Sequence, residues 1–187
     1  MRCSYKPLPR SFFNRPPDVV APELLGKLLV RRIAGDDSEG MVAAREMRVR
    51  IAECEAYLGE GDAAAHAARG MTPRNAVLFG PPGHAYIYFI YGMHWCVNVS
   101  TLPKGRAGGV LLRAARWLAP GEGLLRGPGL LTRALGIDAR LRGHDMTRPG
   151  ALFLADDGFR PTHVLASPRV GIRQATELPL RFRTTVP

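Results

Sequence analysis

The chain has 187 residues, of which 46% are hydrophobic, so it is long and apolar enough to bury the core of one ordinary domain. This composition excludes a wholly disordered chain. The formal net charge of +10 favours an anionic partner, either nucleic acid or an anionic membrane surface. The 21 glycines and 16 prolines predict many turns and irregular connections.

The charge is unevenly distributed along the chain. The first hundred residues hold 12 basic and 10 acidic side chains, and the remaining residues hold 14 basic and 6 acidic ones. A binding face for nucleic acid would therefore draw most of its cations from the second half of the chain.

The three cysteines, Cys3, Cys54 and Cys96, are odd in number and widely spaced. This pattern argues against a disulfide framework and indicates a reducing compartment. No Cys-x-x-Cys pair or matching histidine spacing is present, so no metal is expected. The N-terminal sequence lacks an apolar signal core and no apolar run reaches membrane-spanning length, so we expect a cytoplasmic protein without a membrane partner.

In the first third of the chain, prolines predict an extended arm over residues 1–20. A short helix is predicted over Ala21–Gly26, followed by a strand over Lys27–Ile33 and a solvent loop over Gly35–Gly40. Alternation of side chains predicts a strand over Met47–Tyr57.

In the middle of the chain, Asp62–Gly70 is an alanine-rich loop or helical turn, and a short helix is predicted between Thr72 and Gly80. Two β-prone runs, His84–Tyr91 and His94–Thr101, flank Gly92 and predict a hairpin. The run Gly109–Ala115 predicts the next strand.

The last third is predicted to contain a loop at Pro120–Gly127, a helix at Pro128–Leu135 and a loop-rich stretch over residues 137–161, followed by short strands at Thr162–Ala166 and Leu178–Arg183. No repeat, low-complexity tract or linker interrupts the chain. We therefore predict one α+β domain over residues 1–187, with a mixed, mostly antiparallel sheet, peripheral helices and a protruding β-hairpin.

Two carboxylates stand out in the segment IAECEAYLG, at residues 51–59. Simple alternation would place Glu53, Glu55 and Tyr57 on the same face as Val49 and Ile51. A carboxylate on a buried face is costly unless it is paired or functional, and a sheet edge with solvated carboxylates is the alternative.

The predicted hairpin YIYFIYGMHWCVN, at residues 86–98, carries five aromatic side chains around one glycine. Phe89 and Trp95 are expected to fill the core. Tyr91 directly precedes the turn, so its ring is expected to protrude. A protruding aromatic ring in a basic protein suits stacking on bases or insertion between them.

Six segments of this sequence resemble the alkyladenine DNA glycosylase family, the 3-methyladenine glycosylase type found in bacteria and mammals. In order and spacing they are ECEAYLG, AAHAARGMTPRN, FGPPGHAYIYFIYGMHWCVN, GVLLRA, GPGLLTRALGI and RVGI. The resemblance extends from about residue 10 to about residue 185, and the hairpin motif is highly specific.

The resemblance implies a role for individual side chains. Glu55 matches the carboxylate that deprotonates the attacking water, while Arg113 and the backbone carbonyl of Val170 match groups that hold the same water. The remaining matches are the pocket walls Tyr57, His66 and Tyr88, the guanine-excluding Asn98, the minor-groove wedge Tyr91 and its neighbour Met93. The positive charge of Arg113 should favour the ionised form of Glu55.

The resemblance thus implies a monofunctional DNA glycosylase. It would flip 3-methyladenine, 7-methylguanine, ethenoadenine or hypoxanthine out of duplex DNA and hydrolyse the glycosidic bond. The expected partner is double-stranded DNA that contains damaged purines. We expect the protein to be a monomer associated with the nucleoid and to need neither a metal nor an organic cofactor. The alternative is a catalytically silent nucleic-acid-binding module of the same fold, which the presence of Glu55 and Arg113 disfavours.

Several positions remain open or depart from the family. Leu130 stands where many relatives have a lysine, so Arg126 or Arg133 would replace a contact to the DNA backbone. Arg74 would contact phosphate or form a salt bridge at a helix end. His66 would protonate neutral lesions or serve as a structural hydrogen-bonder. Two further expectations concern residues next to Glu55 on the same strand. Cys54, at a position where threonine is common in the family, is expected to be buried. Glu53 is expected to be structural or solvated.

Overall fold

The computed structural model describes residues 4–35, 45–118 and 123–187, and within these ranges one sheet of ten strands carries three short helices. The helices are α1 (Arg10–Phe13), α2 (Pro17–Leu24) and α3 (Pro128–Ala134), with 3-10 turns at Ala76–Phe79 and Ala139–Leu141. The strands are β1 (Lys6–Pro7), β2 (Leu28–Ile33), β3 (Arg45–Tyr57), β4 (Ala85–Ile90), β5 (His94–Ser100), β6 (Gly109–Trp117), β7 (Leu124–Arg126), β8 (Leu152–Asp156), β9 (Leu165–Ser167) and β10 (Arg181–Arg183).

The main path of the sheet runs β1-β8-β2-β3-β6-β5-β4, while β7 pairs with β6, and β10 pairs with both β3 and β9. Each of these pairings is antiparallel. The predicted α+β class with a mostly antiparallel sheet is confirmed. The longest strand, β3, lies between β2 and β6, so its residues have neighbours on both sides.

The three helices cover one face of the sheet. Apolar residues of β3, β5 and β6 form one cluster with Phe13 of α1, Leu24 of α2 and Leu131 of α3, all of them fully buried. On the other face, a smaller cluster of β4, β5 and β6 residues includes Tyr86, Tyr88 and Leu111. The candidate site lies on this second face of the sheet.

The N-terminal arm is less extended than the prolines predicted. Helix α2 begins at Pro17, not at Ala21, and the short helix α1 precedes it. Proline is tolerated at the N-cap, Pro16, and at the first helical position, Pro17, because the first N–H groups of a helix have no partner within it. Within this arm, the proline-rich sequence marks where a helix starts.

Two strands lie where loops were predicted. Strand β8 lies within the stretch 137–161 and pairs with both β1 and β2, and β7 lies within the predicted loop Pro120–Gly127. Strand β7 has only three residues, and β8 depends on partners more than a hundred residues earlier in the chain, so local composition carries little sign of either strand. The predicted C-terminal strands shift to β9 and β10, and residues 36–40 of the predicted loop lie outside the described residues.

The two faces of β3 exchange part-way along the strand, which corrects the predicted alternation. Register with β6 shifts between Ile51 and Glu53 and shifts again between Glu53 and Cys54. Val49 and Ile51 belong to the helix-covered core before this point, and Cys54 and Ala56 belong to it afterwards. Glu53, Glu55 and Tyr57 therefore do not share a face with Val49 and Ile51, because an irregularity in the pairing re-aims the side chains that follow it.

Candidate active site

The hairpin β4–β5 ends in a turn whose two central residues, Tyr91 and Gly92, both have positive φ, 54° and 66°. The N–H of Met93 closes this turn on the carbonyl of Ile90 at 3.2 Å. Positive φ at both central positions matches the right-handed twist of a hairpin, and glycine adopts it at no steric cost. The side chains of Tyr91 and Met93 project into solvent, 76% and 67% exposed.

The base of the hairpin differs from the prediction for one aromatic residue. Phe89 is 43% exposed, so it does not fill the core, while Trp95 is partly buried against the helix-covered cluster. The two rings pack on each other with centroids 4.7 Å apart. This pair stiffens the hairpin below Tyr91, since aromatic pairs add stabilisation beyond the area that they bury.

A cavity of about 890 Å³ opens beside the hairpin on the second face of the sheet, where Tyr86, Tyr88 and Leu111 lie. Its walls come from the ends of β3, β4, β5 and β6, from the turns at 59–67, from the start of α3 and from residues 170–174. The sequence-predicted residues that line it are Tyr57, His66, Tyr88, Tyr91, Asn98, Arg113, Arg126, Arg133 and Val170. Residues from distant parts of the chain thus converge on one site.

Glu55 lies behind the cavity wall with no exposed surface. Its Oε1 accepts a hydrogen bond from the backbone N–H of Val170 at 2.8 Å. Its Oε2 accepts from the hydroxyl of Tyr57 at 3.0 Å and from Nη1 of Arg113 at 3.2 Å. These three donors compensate for the loss of water around a buried carboxylate, and all three belong to residues that line the cavity.

Glu53 is part of the same network, which sequence reasoning missed. Its Oε1 accepts hydrogen bonds from Nε of Arg113 at 3.0 Å and Nε of Arg181 at 2.7 Å. Burial raises the pKa of Glu53, but the hydrogen bonds and charges of the two guanidinium groups outweigh this effect and lower the pKa overall. Glu53 is therefore an ionised partner of Arg113, and no solvated surface residue.

A fully buried ion pair lies next to this network. Nη1 and Nη2 of Arg169 donate to the two carboxylate oxygens of Asp62 at 2.6 and 2.8 Å, and neither side chain has exposed surface. Nη1 also donates to the carbonyl of Ala56 at 3.1 Å, and the guanidinium lies 4.7 Å from the ring centroid of Tyr57. Arg169 thus ties the segment that carries Val170 to the end of β3.

The aromatic walls are interlocked. The ring of His66 meets Tyr88 edge-on at 4.5 Å, and its Nδ1 lies 2.9 Å from the hydroxyl of Tyr86. Burial, followed by the positive charge of Arg74, lowers the pKa of His66. Burial raises the pKa of the Tyr57 and Tyr88 hydroxyls, with the Glu55 charge second for Tyr57 and the Cys96 thiol second for Tyr88. His66 is therefore neutral at neutral pH, and both tyrosines keep their protons.

Asn98 is buried in the cavity wall on β5, where its Nδ2 donates to the carbonyl of Tyr86 at 3.1 Å. A side-chain amide held by a cross-strand hydrogen bond has little freedom to move away from a ligand. Cys96, two residues closer to the hairpin turn on the same strand, also lines the cavity. Cys54 is fully buried on the opposite face, as expected.

Three candidate DNA-contacting arginines lie at the surface around the site. Arg126 and Arg133 are exposed at the cavity edge beside Leu130, whose side chain is partly exposed on α3. Arg74 is exposed, lies 5.8 Å from the Tyr88 ring centroid and donates to the carbonyl of Phe89 at 3.4 Å. No carboxylate in the described part of the chain forms a salt bridge with Arg74, so the helix-end pair is not seen.

Of the site residues predicted from sequence, Glu55, Tyr57, Arg113 and Val170 are in direct contact, and His66 and Tyr88 are in contact with each other. Met93 and Arg74 lie outside the cavity wall. The residues that sequence reasoning missed are Asp62, Arg169 and Arg181. Their roles depend on pairing across the fold, and the sequence left Glu53, their neighbour, as either structural or solvated.

Within residues 4–35, 45–118 and 123–187, no group of three or more histidine, cysteine, aspartate or glutamate side chains is placed to hold a metal ion. No helix in the same ranges is long and apolar enough to cross a membrane.

Comparison with known proteins agrees with this arrangement. The family described as methylpurine-DNA glycosylase (MPG) matches residues 11–186, nearly the whole chain. The chain belongs to this family. The match includes every residue of the cavity wall, so the enclosed carboxylate and the exposed hairpin lie within the family region.

Several similar proteins are named "Putative 3-methyladenine DNA glycosylase". The protein of Koribacter versatilis is 50% identical over 94% of this chain and 88% of its own length. That of Chlorobaculum parvum is 43% identical over 97% and 90%, and that of Methanocella arvoryzae 42% over 93% and 88%. The likeness thus covers nearly the full length of both partners in each case.

Proposed function

We propose that this protein is a monofunctional DNA glycosylase of base excision repair, which hydrolyses the bond between a damaged purine and its deoxyribose. The observation that carries the proposal is the buried carboxylate of Glu55, held by three donors behind an aromatic cavity next to an exposed tyrosine hairpin. Membership in the methylpurine-DNA glycosylase family and the names of the relatives support the same function.

The exposed hairpin supports extrusion of the damaged nucleotide from the duplex. A base within the stack is out of reach of an enclosed carboxylate, and flipping it out costs a few kcal/mol. Tyr91 protrudes at the tip of a hairpin stiffened by the Phe89–Trp95 pair. Its ring fills the vacated gap and opposes the return of the base, while Met93 contacts the neighbouring base pair.

The cavity supports recognition of the flipped base. Tyr57 and Tyr88 offer aromatic surfaces for a purine, and an electron-poor or cationic ring is attracted to them by about 0.5–2 kcal/mol per face. Asn98 is fixed by its bond to Tyr86, so its amide excludes the 2-amino group of undamaged guanine. The substrates are 3-methyladenine, 7-methylguanine, ethenoadenine and hypoxanthine in double-stranded DNA.

The chemistry is a hydrolysis in which Glu55 is the general base. Water enters between Arg113 and Val170, and its oxygen forms a bond to C1′ of the sugar while the bond from C1′ to the purine breaks. The water proton passes to Glu55, and the bonding electron pair leaves with the base. The carboxylate also stabilises the positive charge that develops on the sugar, and Arg113 holds the water.

Neutral lesions such as hypoxanthine need a proton to leave, whereas cationic methylpurines do not. His66 is neutral at neutral pH because burial lowers its pKa, so it is a poor proton source. Its bond to the Tyr86 hydroxyl supports a structural role in the pocket wall.

Single-turnover excision from a duplex that carries one ethenoadenine or hypoxanthine tests the proposal. Alkali cleaves the strand at the abasic product and reports each event. Glu55→Gln should slow excision by about 10²–10⁴-fold, the usual size of acid–base catalysis, and should retain lesion binding. Glu46→Gln is the matched control, because Glu46 lies on the same strand but bonds to Tyr5 and Arg32 away from the cavity.

The alternative function is a catalytically silent nucleic-acid-binding module. Such a module would bind damaged and undamaged duplexes and leave both intact, so the absence of strand cleavage with the wild-type protein would establish it. We propose that the protein acts as a monomer. Sedimentation at the concentrations used for excision checks this, and a dimer would contradict it.

A further inference from the structure

Glu53 belongs to a chain of four side chains whose positive and negative charges alternate. A single oxygen of Glu53 accepts from Nε of Arg113 and from Nε of Arg181, and Arg113 continues through Nη1 to Glu55. Glu53 is largely buried, with 17% of its side chain exposed, and Glu55 is wholly buried. The order Arg181–Glu53–Arg113–Glu55 runs from β10 across β3 to β6 and back to β3.

Two separate contacts fix the guanidinium plane of Arg113. Glu53 holds Nε and Glu55 holds Nη1, so a rigid planar group is restrained at two points. Nη2 makes no hydrogen bond to any residue that the structure describes, and Arg113 lines the cavity. One N–H donor edge of Arg113 therefore remains available on the cavity side.

The contact between Arg113 and Glu55 is a single hydrogen bond, which is not the arrangement that this pair prefers. Arginine and a carboxylate commonly form two parallel bonds that occupy both carboxylate oxygens. Here Oε1 of Glu55 accepts a hydrogen bond from the backbone N–H of Val170, and only Oε2 accepts one from Arg113. The pull of Glu53 on Nε keeps Arg113 from turning to form the bidentate pair.

We propose that Glu53 is a positioning residue, which restrains Arg113 so that Glu55 keeps an oxygen lone pair for water and Arg113 keeps a donor for it. This proposal rests on the function proposed above. Without Glu53, Arg113 turns onto Glu55, occupies both oxygens and blocks the position where water is activated. Arg181 acts through Glu53 by neutralising its charge and fixing its oxygen.

The variants that test this role are Glu53→Ala, which removes the anchor, and Glu53→Gln, which keeps an acceptor oxygen but removes the charge. Single-turnover excision at saturating enzyme should fall by about 10–100-fold in Glu53→Ala, the size of one hydrogen bond to a charged group. Glu53→Gln should lie between it and wild type. The affinity for lesion-containing duplex should stay within about threefold, and Glu46→Ala on the same strand should excise normally.

A double-mutant cycle separates positioning from a general structural effect. If Glu53 acts through Arg113, adding Glu53→Ala to Arg113→Ala should cause no further loss of rate. Full additivity of the two losses would overturn the proposal, as would an excision rate for both Glu53 variants within threefold of wild type. If Glu53→Ala fails to fold, Arg181→Met takes its place in the cycle with an expected loss of about 3–10-fold. Normal excision by Glu55→Gln would contradict the proposed function itself, which none of these Glu53 outcomes does.

Discussion

The backbone N–H of Val170 donates a hydrogen bond of 2.8 Å to Oε1 of Glu55, and 115 positions in the sequence separate the two residues. The resemblance to the glycosylase family implied a different contact, in which the carbonyl of Val170 holds the water. The N–H contact adds a role for the same residue: it orients the carboxylate. Arg169, the residue before Val170, anchors the same segment through its buried ion pair with Asp62.

Removal of this backbone donor should slow catalysis. Val170→Pro lacks the N–H, and the loss of a hydrogen bond to a charged group should reduce single-turnover excision by about 10–100-fold. Val170→Ala keeps the N–H and should excise within about threefold of wild type. Equal rates for the two variants would show that the donor does not matter.

The positive φ of Tyr91 makes it possible to separate its backbone strain from its ring. A non-glycine residue in the left-handed region costs about 1–2 kcal/mol, and asparagine tolerates this region better than tyrosine. Tyr91→Asn should therefore unfold at an equal or higher urea concentration than wild type. Its affinity for lesion-containing duplex should fall by up to a few kcal/mol, because the wedge is lost.

Tyr91→Phe is the matched control for that variant, since it keeps the ring and the strain. It should bind and excise like wild type, and 2-aminopurine beside the lesion should report the same fluorescence change. Wild-type affinity and fluorescence in Tyr91→Asn would argue against a wedge.

The structure indicates which basic residues of the second half of the chain are placed to contact DNA phosphates. Among the basic residues of the second half, Arg113, Arg140, Arg148, Arg160, Arg169 and Arg181 form ion pairs with carboxylates. The exposed arginines at the cavity edge, Arg126 and Arg133, are better placed to meet phosphates. Affinity for undamaged duplex should fall with salt with a log–log slope of about −0.9 per phosphate contact.

Arg126→Ala or Arg133→Ala should each flatten that slope by about one unit if the residue contacts a phosphate. Arg140→Ala, whose exposed side chain is paired with Asp138, is the control and should leave the slope unchanged. Anisotropy titrations with Glu55→Gln protein across a salt series give the slopes. A wild-type slope near zero would overturn the electrostatic expectation.

The buried pair of Arg169 and Asp62 predicts loss of stability in acid. Burial raises the pKa of Asp62, but hydrogen bonds from Arg169 and from the backbone N–H groups of Leu58 and Ala64 lower it overall. A carboxyl whose pKa is lower in the folded state stabilises the fold above its unfolded pKa of about 3.9, and this stabilisation is lost as the pH falls through the folded value. The free energy of unfolding should therefore decrease below about pH 4.

Asp62→Asn leaves the guanidinium of Arg169 buried without its counter-charge and should destabilise the protein by about 3–5 kcal/mol at pH 7. The difference from wild type should narrow as the pH falls, because the wild-type carboxyl takes up its proton. Glu23→Gln, in an exposed pair with Arg15, should cost less than about 1 kcal/mol. Urea unfolding at a series of pH values gives the free energy of unfolding of wild type, Asp62→Asn and Glu23→Gln. A difference between wild type and Asp62→Asn that does not change with pH would contradict the lowered pKa of Asp62.

Local patterns predicted the parts of the fold that local physics determines. The hairpin around Gly92, the long strand ending at Tyr57 and the helix that starts at Pro128 follow from alternation, turn chemistry and proline placement. Strand β8 was missed because its partners, β1 and β2, lie more than a hundred residues earlier. Pairing over such separations leaves little trace in a single short segment.

The candidate site was predictable where the family resemblance named residues, and less so where partners had to be found in space. Glu55 and Tyr91 have the burial and exposure expected for a base and a wedge, while their roles stay predictions. The ion pairs of Glu53 and Asp62 depend on Arg181 and Arg169, which no local motif connects to them. Phe89 lies on the helix-covered face but two residues beyond the buried Ile87, where the hairpin extends past the core.

The exchange of faces in β3 shows that the sheet and the site are separable. Ala52 of β3 and Arg113 of β6 have no partner in the register of these two strands, at the place where Glu53 and Arg113 are in contact. If β3 alternated strictly through this point, Glu53 and Glu55 would lie on the face of Val49 and Ile51, within the helix-covered core. A related chain that keeps the same sheet but lacks this step would turn its carboxylates away from the cavity. The irregular step therefore serves the active site, and inheritance of the architecture alone does not ensure inheritance of the activity.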